Sequence, residues 1–367
     1  MGCGGCELFP PPGEVLEGID QAVAEAGSRI DSRAIYKELI HKAHAKIREP
    51  KPGHKNAVNT TNIWHFRKLF LQGVKRDHGK NAAAAAEKAL RQSITCYAAT
   101  LHMNKGRKLL APAYDGHKGY APIFEAVTRF EGRSAKTAAM SDLLGKSNPK
   151  TPWKDGLPRL IFVSDMGDAL STKGDFPFLK SDLMPAITSE AGKRHLWLTK
   201  RPETMARFAE EIGGLPPNVC AMTTLTGADA VSLKRLADLK KVKAHMRGLS
   251  IEPLWERIPP SKLKLRGIDW VIVGGESGSG LAFTRPFALE WAEEMRDHCR
   301  KHGVAFFLKQ LGRNPSRHGE VFRLRDPHGG EWEEWPDDAL KVREFPRAFH
   351  DYRKDEMKPS TKPRPAK

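Results

Sequence analysis

Six short apolar runs, each ending in a polar or glycine-rich turn, constrain the fold more than any other feature of this chain. They are Arg159–Val163, His195–Leu198, Asn218–Met222, Arg247–Ile251, Asp269–Val273 and Val304–Leu308. Runs this short and this apolar suit strands buried on both faces, and the stretches between them carry helical patterns. The expected unit is therefore a parallel strand followed by a crossover helix. The fold class this implies is α/β, a parallel-strand full or partial TIM-like barrel with a mainly helical N-terminal extension. A doubly wound open sheet is the main structural alternative.

Three regions follow from the change of texture along the chain. Residues 1–150 read as mainly helical: Asp31-Ser32 is placed to cap a helix through Ile35, Leu39 and Ile40, and the alanine-rich stretch Asn81–Leu90 has high helix propensity. The segment from Pro50 to His54 reads as a break between helices. Residues 151–315 hold the barrel-like core, and 316–367 form a C-terminal extension. Its last fifteen residues contain six basic side chains and three prolines with little to bury, a composition that predicts poor order.

In parallel α/β folds the chemistry lies beyond the C-terminal ends of the strands, so the residues after each run are the informative ones. Here they are Ser164, Asp165 and Asp168, then Thr199, Lys200 and Arg201, then Thr223 and Thr224. Glu252, Gly274, Gly275 and Glu276, and finally Lys309 and Gln310, complete the set. Each has a bland alternative: Asp165 or Asp168 as a helix cap, Lys200 and Arg201 as solvated charges, Gly274-Gly275 as a turn. Taken together, parallel strands gather these acids and bases on one rim, where opposed charges bind a zwitterionic or phosphorylated ligand.

The chain has 367 residues, five cysteines and a formal net charge of +17. An odd cysteine count without even spacing fits a reducing compartment, and neither a signal peptide nor a membrane-length apolar stretch is visible, so a cytoplasmic protein without a membrane partner is expected. The Gly2 start fails the myristoylation pattern, because Cys6 stands where Ser or Thr is required. The charge suits nucleic acid or another polyanion as partner, with a generally basic surface as the competing explanation. Cys220 lies in an apolar run and Cys299 in the helical stretch Leu289–Cys299, which marks both as packing residues. Cys3 and Cys6, in Cys-Gly-Gly-Cys, supply two thiolates on a flexible backbone, and Cys96 is a candidate third ligand of a metal or cluster. Two free thiols at a frayed terminus remain the alternative.

Together these segments resemble the three-cysteine-motif branch of an uncharacterised phage-type protein family, similar in pattern to spore photoproduct lyase and the radical S-adenosylmethionine superfamily. The resemblance is carried by Gly2–Leu8, Thr61–His65, Cys96–Ala98, Phe162–Asp168, Leu198–Pro202, Leu249–Leu254, Asp269–Gly278 and Phe307–Gly312. It implies a [4Fe–4S] cluster held by Cys3, Cys6 and Cys96 in place of the superfamily's compact C-x3-C-x2-C loop. It also implies S-adenosylmethionine at the rim, with Lys200 or Arg201 on its carboxylate and Glu252 or Glu276 on its amino or ribose groups. Ser164, Asp165, Asp168, Gly274, Gly275, Lys309 and Gln310 are expected to line the cofactor. The implied activity is that of a radical S-adenosylmethionine-like enzyme acting on nucleic acid or a nucleotide.

Two further possibilities follow from the residues alone. Asp165, Asp168, Glu252 and Glu276 are oxygen ligands suited to magnesium or manganese in a hydrolase or isomerase. Alternatively, His65 or His102 completes a site with the cysteines in a non-enzymatic, metal-stabilised nucleic-acid-binding protein.

Overall fold

The computed structural model describes residues 12–46, 63–93, 129, 131–143, 146–149, 151–163, 168–171, 175–189, 192–277 and 284–349. The chain divides into two compact units, Met1–Thr128 and Arg129–Lys367. The boundary thus falls before residue 150, and the short helix Arg133–Ala138 belongs with the second unit.

In the first unit, α1 (Pro12–Glu25), α2 (Ser32–Lys46) and α3 (Ile63–Ser93) bury one stripe each. Val15, Ile19 and Val23 recur every fourth residue on α1, as do Phe70 and Val74, then Ala82, Ala86 and Leu90, on α3. That spacing puts each set on a single helical face, and the faces meet in one apolar cluster with Tyr36 of α2. The cap expected at the start of α2 forms: Asp31 Oδ1 accepts from the Ala34 N–H at 2.9 Å. Helix α3 is interrupted at Gly79, whose φ of 86° is readily adopted only without a Cβ.

The second unit opens with α4 (Arg133–Ala138), and its described residues form nine strands. These are β1 (Leu160–Val163), β2 (Arg194–Thr199), β3 (Val219–Thr224), β4 (Met246–Ile251), β5 (Trp270–Gly274), β6 (Phe287–Ala288), β7 (Ala305–Gln310), β8 (Pro315–Arg317) and β9 (Glu320–Val321). All six apolar runs became strands of one sheet, in the order β1-β2-β3-β4-β5-β7, and every neighbouring pair is parallel. Spatial order equals chain order, so every crossover steps in the same direction. A doubly wound sheet requires a reversal, which is absent from this sheet; the strands instead curl into a half-barrel. The small sheet β6-β8-β9 is separate.

Alternation along the strands builds two cores. Val163, Trp197, Ala221, Leu249, Val271 and Phe306 face outward onto α5 (Met184–Ser189), α6 (Pro202–Glu211), α7 (Ala230–Leu239) and α8 (Leu289–Lys301), through Ile187, Phe208, Leu236 and Met295. Leu196, Cys220, Met222, Met246, Trp270 and Ile272 face the concave side, where they share a cluster with Phe349 from near the C-terminus. Among the described residues, 341–349 cover this inner face at the end at which the strands begin.

This strap first pairs with the edge strand β7: Leu308 N donates to Val342 O at 2.8 Å and Glu344 N to Phe306 O at 2.9 Å, with Arg343 bridged antiparallel to Phe307. Phe345 and Phe349 then stack on Trp270 at ring separations of 5.3 Å each, and the Trp270 indole N–H donates to Glu344 O at 2.9 Å. Arg343 anchors the strap. Its guanidinium sits 4.0 Å from the Trp153 ring and 4.8 Å from Trp332, and donates to the carbonyls of Leu308, Lys309 and Gly330. Burial pulls this group down to about 10, which leaves it cationic at neutral pH.

No helix among the described residues is long and apolar enough to cross a membrane. The basic C-terminal segment expected to be poorly ordered lies outside the described residues.

Phe349 is fully buried, so Phe349→Ala should destabilise the second unit by about 3–5 kcal/mol, read as a lowered denaturation midpoint with little change in slope. Both described cysteines are buried, and burial pushes the Cys220 thiol far up and the Cys299 thiol to about 12. A raised thiol pKa removes thiolate, leaving on the order of 10⁻⁴ of Cys299 ionised at pH 8. Native protein treated with iodoacetamide at pH 8 should therefore keep both unmodified by peptide mass spectrometry, and denatured protein should not.

Candidate functional site

The strand-end residues sit at the predicted end of the half-barrel, but the alternation of the strands sends them to different faces. Thr199 continues the outward series of Trp197. Its hydroxyl donates to Asp168, 2.9 and 2.7 Å from the two carboxylate oxygens, and Asp168 also accepts from the backbone N–H groups of Leu170 at 2.9 Å and Lys200 at 3.1 Å. Arg201 Nη1 lies 3.2 Å from Asp168 Oδ2, while the Arg201 N–H donates to Thr199 Oγ1 at 2.9 Å. Asp168 is buried, so these bonds compensate its charge inside the fold. Asp168 and Arg201, expected at a ligand, are bound to each other and tie the β1 and β2 ends together. Thr223 adds to this outer set by donating to Thr199 O at 2.7 Å.

On the concave side the series Leu196, Leu198 continues to Lys200, whose ammonium makes no hydrogen bond or ion pair with the described residues. From β4, the Ser250 hydroxyl donates to Glu252 Oε2 at 3.1 Å. From β7, Lys309 Nζ stands 3.1 Å from Glu252 Oε1. That contact is an ion pair lying off the hydrogen-bonding direction: Glu252 Oε1 is buried and accepts no hydrogen bond. Gly274 makes room for this carboxylate, since a Cβ there would lie 3.0 Å from Glu252 Oε1.

A second group forms where the ends of β5 and β7 cross. A Cβ on Gly275 would stand 2.2 Å from Leu311 O, and one on Gly312 (φ 77°) would stand 2.6 Å from the Gly275 carbonyl carbon. Two backbones therefore touch here. The Gly275 N–H donates to Gln310 O and the Gln310 side-chain amide returns to Gly275 O, both at 3.0 Å. The close approach that Gly275 permits is thus between chain segments, and its N–H has an internal acceptor. Glu276 leaves the crossing to accept from Arg285 through its backbone N–H and its guanidinium, all at 3.0 Å. The Arg285 guanidinium lies 4.1 Å over the ring of Trp255, three residues beyond Glu252. Arg313 is fixed beside them, its N–H donating to Glu276 O at 2.9 Å.

Trp255, Arg285 and Arg313 were not among the sequence candidates. Trp255 and Arg313 lie just beyond Glu252-Pro253 and Gln310, where a search extended four residues past each strand end would have found them. Arg285 is farther from any strand end of the main sheet and carries no such signal. Ser164, Asp165, Cys3, Cys6, Cys96 and His102 lie outside the described residues, as does the side chain of His65. Among the described residues no group of three His, Cys, Asp or Glu side chains is placed to hold a metal ion; Asp168, Glu252 and Glu276 each face a basic partner of their own.

A family model described as a protein of unknown function (DUF5131) matches residues 81–337. No curated protein and no solved structure matches the chain.

Removing the buried Asp168 carboxylate leaves Thr199, Arg201 and two backbone N–H groups without their acceptor. Asp168→Ala should cost about 3–5 kcal/mol of stability in chemical denaturation, whereas Lys200→Ala should change stability by less than about 0.5 kcal/mol.

Proposed function

The chain belongs to the DUF5131 family of proteins of unknown function, and from that footing we propose that it is a radical S-adenosylmethionine-like iron–sulfur enzyme acting on nucleic acid or a nucleotide. The observation that carries this proposal is a pair of groups on the concave rim: Glu252 Oε1, which is ion-paired with Lys309 but accepts no hydrogen bond, and the Lys200 ammonium, which has no partner among the described residues. A zwitterionic amino-acid moiety needs one acceptor for its ammonium and one cation for its carboxylate. Of the four side chains named from sequence for these tasks, Arg201 is taken by Asp168 and Glu276 by Arg285; Lys200 has no partner among the described residues, and Glu252, though ion-paired with Lys309, keeps an oxygen that accepts no hydrogen bond.

Glu252 is pre-set for this role. Ser250 holds Oε2, and Lys309 stands beside Oε1 without occupying its hydrogen-bonding direction. Because the β4 and β7 ends fix these groups, little side-chain entropy is lost when a ligand binds. The half-barrel also supports the assignment, since it is a partial form of the barrel implied by the resemblance.

Cys3, Cys6 and Cys96 are the proposed cluster ligands; Cys96 lies within the segment matched by the family model and Cys3 and Cys6 precede it. When bound, a reduced [4Fe–4S] cluster supplies single electrons to the sulfonium of S-adenosylmethionine, opening hydrogen-abstraction chemistry at a substrate. The formal charge of +17 favours a polyanionic substrate.

Anaerobic reconstitution with iron and sulfide tests the assignment. The wild-type chain should take up about four iron and four sulfide, with charge-transfer absorption. Serine at Cys3, Cys6 or Cys96 should lower both contents, and alanine at Cys220 or Cys299 should not. A full cluster retained by all three serine variants would falsify the assignment. In the reconstituted protein, Glu252→Gln should weaken S-adenosylmethionine binding about tenfold or more, the loss of a charge-assisted hydrogen bond.

A further inference from the structure

We propose that the end of the half-barrel opposite the rim carries a docking surface for single-stranded nucleic acid, built on Lys240, Lys262, Lys264 and Arg266. Ahead of β5 the chain alternates: Leu263 and Leu265 are buried, while Lys262, Lys264 and Arg266 are exposed. An extended backbone produces this pattern, so the leucines pin the segment and the three cations face out at intervals of about 7 Å. Lys240, which follows α7 and precedes β4, joins them from another segment, its ammonium donating to Lys264 O at 2.6 Å. The strands β4, β5 and β7 are neighbours in the sheet, and their starts therefore bring these segments together.

Like charges meet here without an acid between them. Among the described residues, none of the Lys240, Lys262 and Lys264 ammoniums forms an ion pair. Burial, and after it the Lys264 charge, lower the pKa of Lys240. The carboxylates of the flanking helices are committed elsewhere: Asp238 to Lys234 and Lys241, Glu294 to Arg257, Asp297 to Arg296. A cation at a helix C-terminus answers the helix dipole, which accounts for Lys240. It does not account for Lys262, Lys264 and Arg266, which belong to no helix. Grouped like charges repel one another, and a bound polyanion removes that cost.

The row of cations leads to a cavity. His298 meets Leu263 O at 2.8 Å, which sets the last turn of α8, with Arg300 and Lys301, beside the row. Two residues beyond Arg266, Ile268 enters an open groove of about 500 Å³ between α8 and the strap, with Phe306 also in its lining. Arg300 and Arg347 line this groove, and so do Asp269 and Glu344. Carboxylates oppose a phosphate but accept from the amino groups of bases, and apolar side chains suit a flat ring. The row therefore takes phosphates and the groove takes bases, which must be free of a duplex to enter it. An anionic membrane fits less well: among the described residues, no large apolar side chain is exposed in 240–269, 300–304 or 341–349 to enter a bilayer. This face lies at the strand starts, so it retains a polymer without touching groups at the rim. It needs no cluster and stands apart from the radical-enzyme reading.

The test uses full-length, aerobically purified protein and a labelled single strand of about 20 nucleotides, followed by anisotropy across a salt series. The triple variant Lys240→Gln, Lys262→Gln, Lys264→Gln should weaken binding about tenfold or more at about 0.1 M salt, and should flatten the slope of log K against log salt by about 2. A control with Lys75→Gln, Lys80→Gln and Lys88→Gln removes three exposed charges from α3 and should change affinity by less than about twofold. If the triple variant has a lowered denaturation midpoint, the double variant Lys262→Gln, Lys264→Gln, at exposed positions only, repeats the measurement. Absence of strand binding, an equal effect of the α3 control, or a matching duplex bound as tightly as the strand overturns the proposal. Phosphatidylserine vesicles that bind with the same lysine dependence, and more tightly than the strand, overturn it in favour of a membrane.

Discussion

Six strands wound in one direction do not close a barrel, and the rest of the second unit answers that constraint. Each strand end rotates relative to its neighbour, so the sheet curls, and its inner apolar face must be covered by something other than further strands. Phe345 and Phe349 do this by stacking on Trp270. The strap that carries them is held at the β7 edge by backbone pairing and by Arg343 among its tryptophans. Covering one end leaves the other to the polar side chains. The position of the rim follows from the position of the plug.

At the rim, a second constraint acts. Parallel strands gather charges that would repel or remain unsolvated, and the structure pairs most of them locally: Asp168 with Arg201, Glu276 with Arg285. Lys309 is coupled to the strap, because Arg343 holds its carbonyl while its ammonium faces Glu252. The interaction that secures the C-terminal segment thus also fixes the backbone of a residue at the candidate site. Burial of an aromatic floor and orientation of a polar mouth are two outcomes of one piece of chain.

The fold was legible because apolar runs of four or five residues report burial on two sides, and that signal survives uncertainty about the ends: the run Asp269–Val273 became Trp270–Gly274. The strand order was not legible, since both the singly and doubly wound sheets present the same alternation of strand and helix. The C-terminal strap was missed for a related reason: Phe345 and Phe349 read as isolated aromatics until Trp270 gives them a partner. Among the site residues, Lys200 and Arg201 are adjacent in sequence and were given interchangeable tasks. Alternation places one on the concave face and the other against Asp168, a difference that emerges only once strand register is known. Gly275 was similarly ambiguous. A glycine marks a close approach, but the sequence does not say whether backbone or ligand makes it.

At the rim most carboxylates are compensated, although buried side-chain atoms without a hydrogen bond also occur elsewhere in the unit, Trp197 Nε1 and Trp332 Nε1 among them. The fold places three backbone or side-chain donors on Asp168 besides the Arg201 contact, and three contacts on Glu276. Glu252 lies over Gly274, where no Cβ intervenes, and Trp255 lies beneath Arg285. Rigid backbone with unsatisfied side chains is a costly arrangement, tolerated where a bound partner supplies the missing bonds. Glu252 follows β4 and Lys200 follows β2, so an acceptor and a cation stand at different strand ends of the same rim.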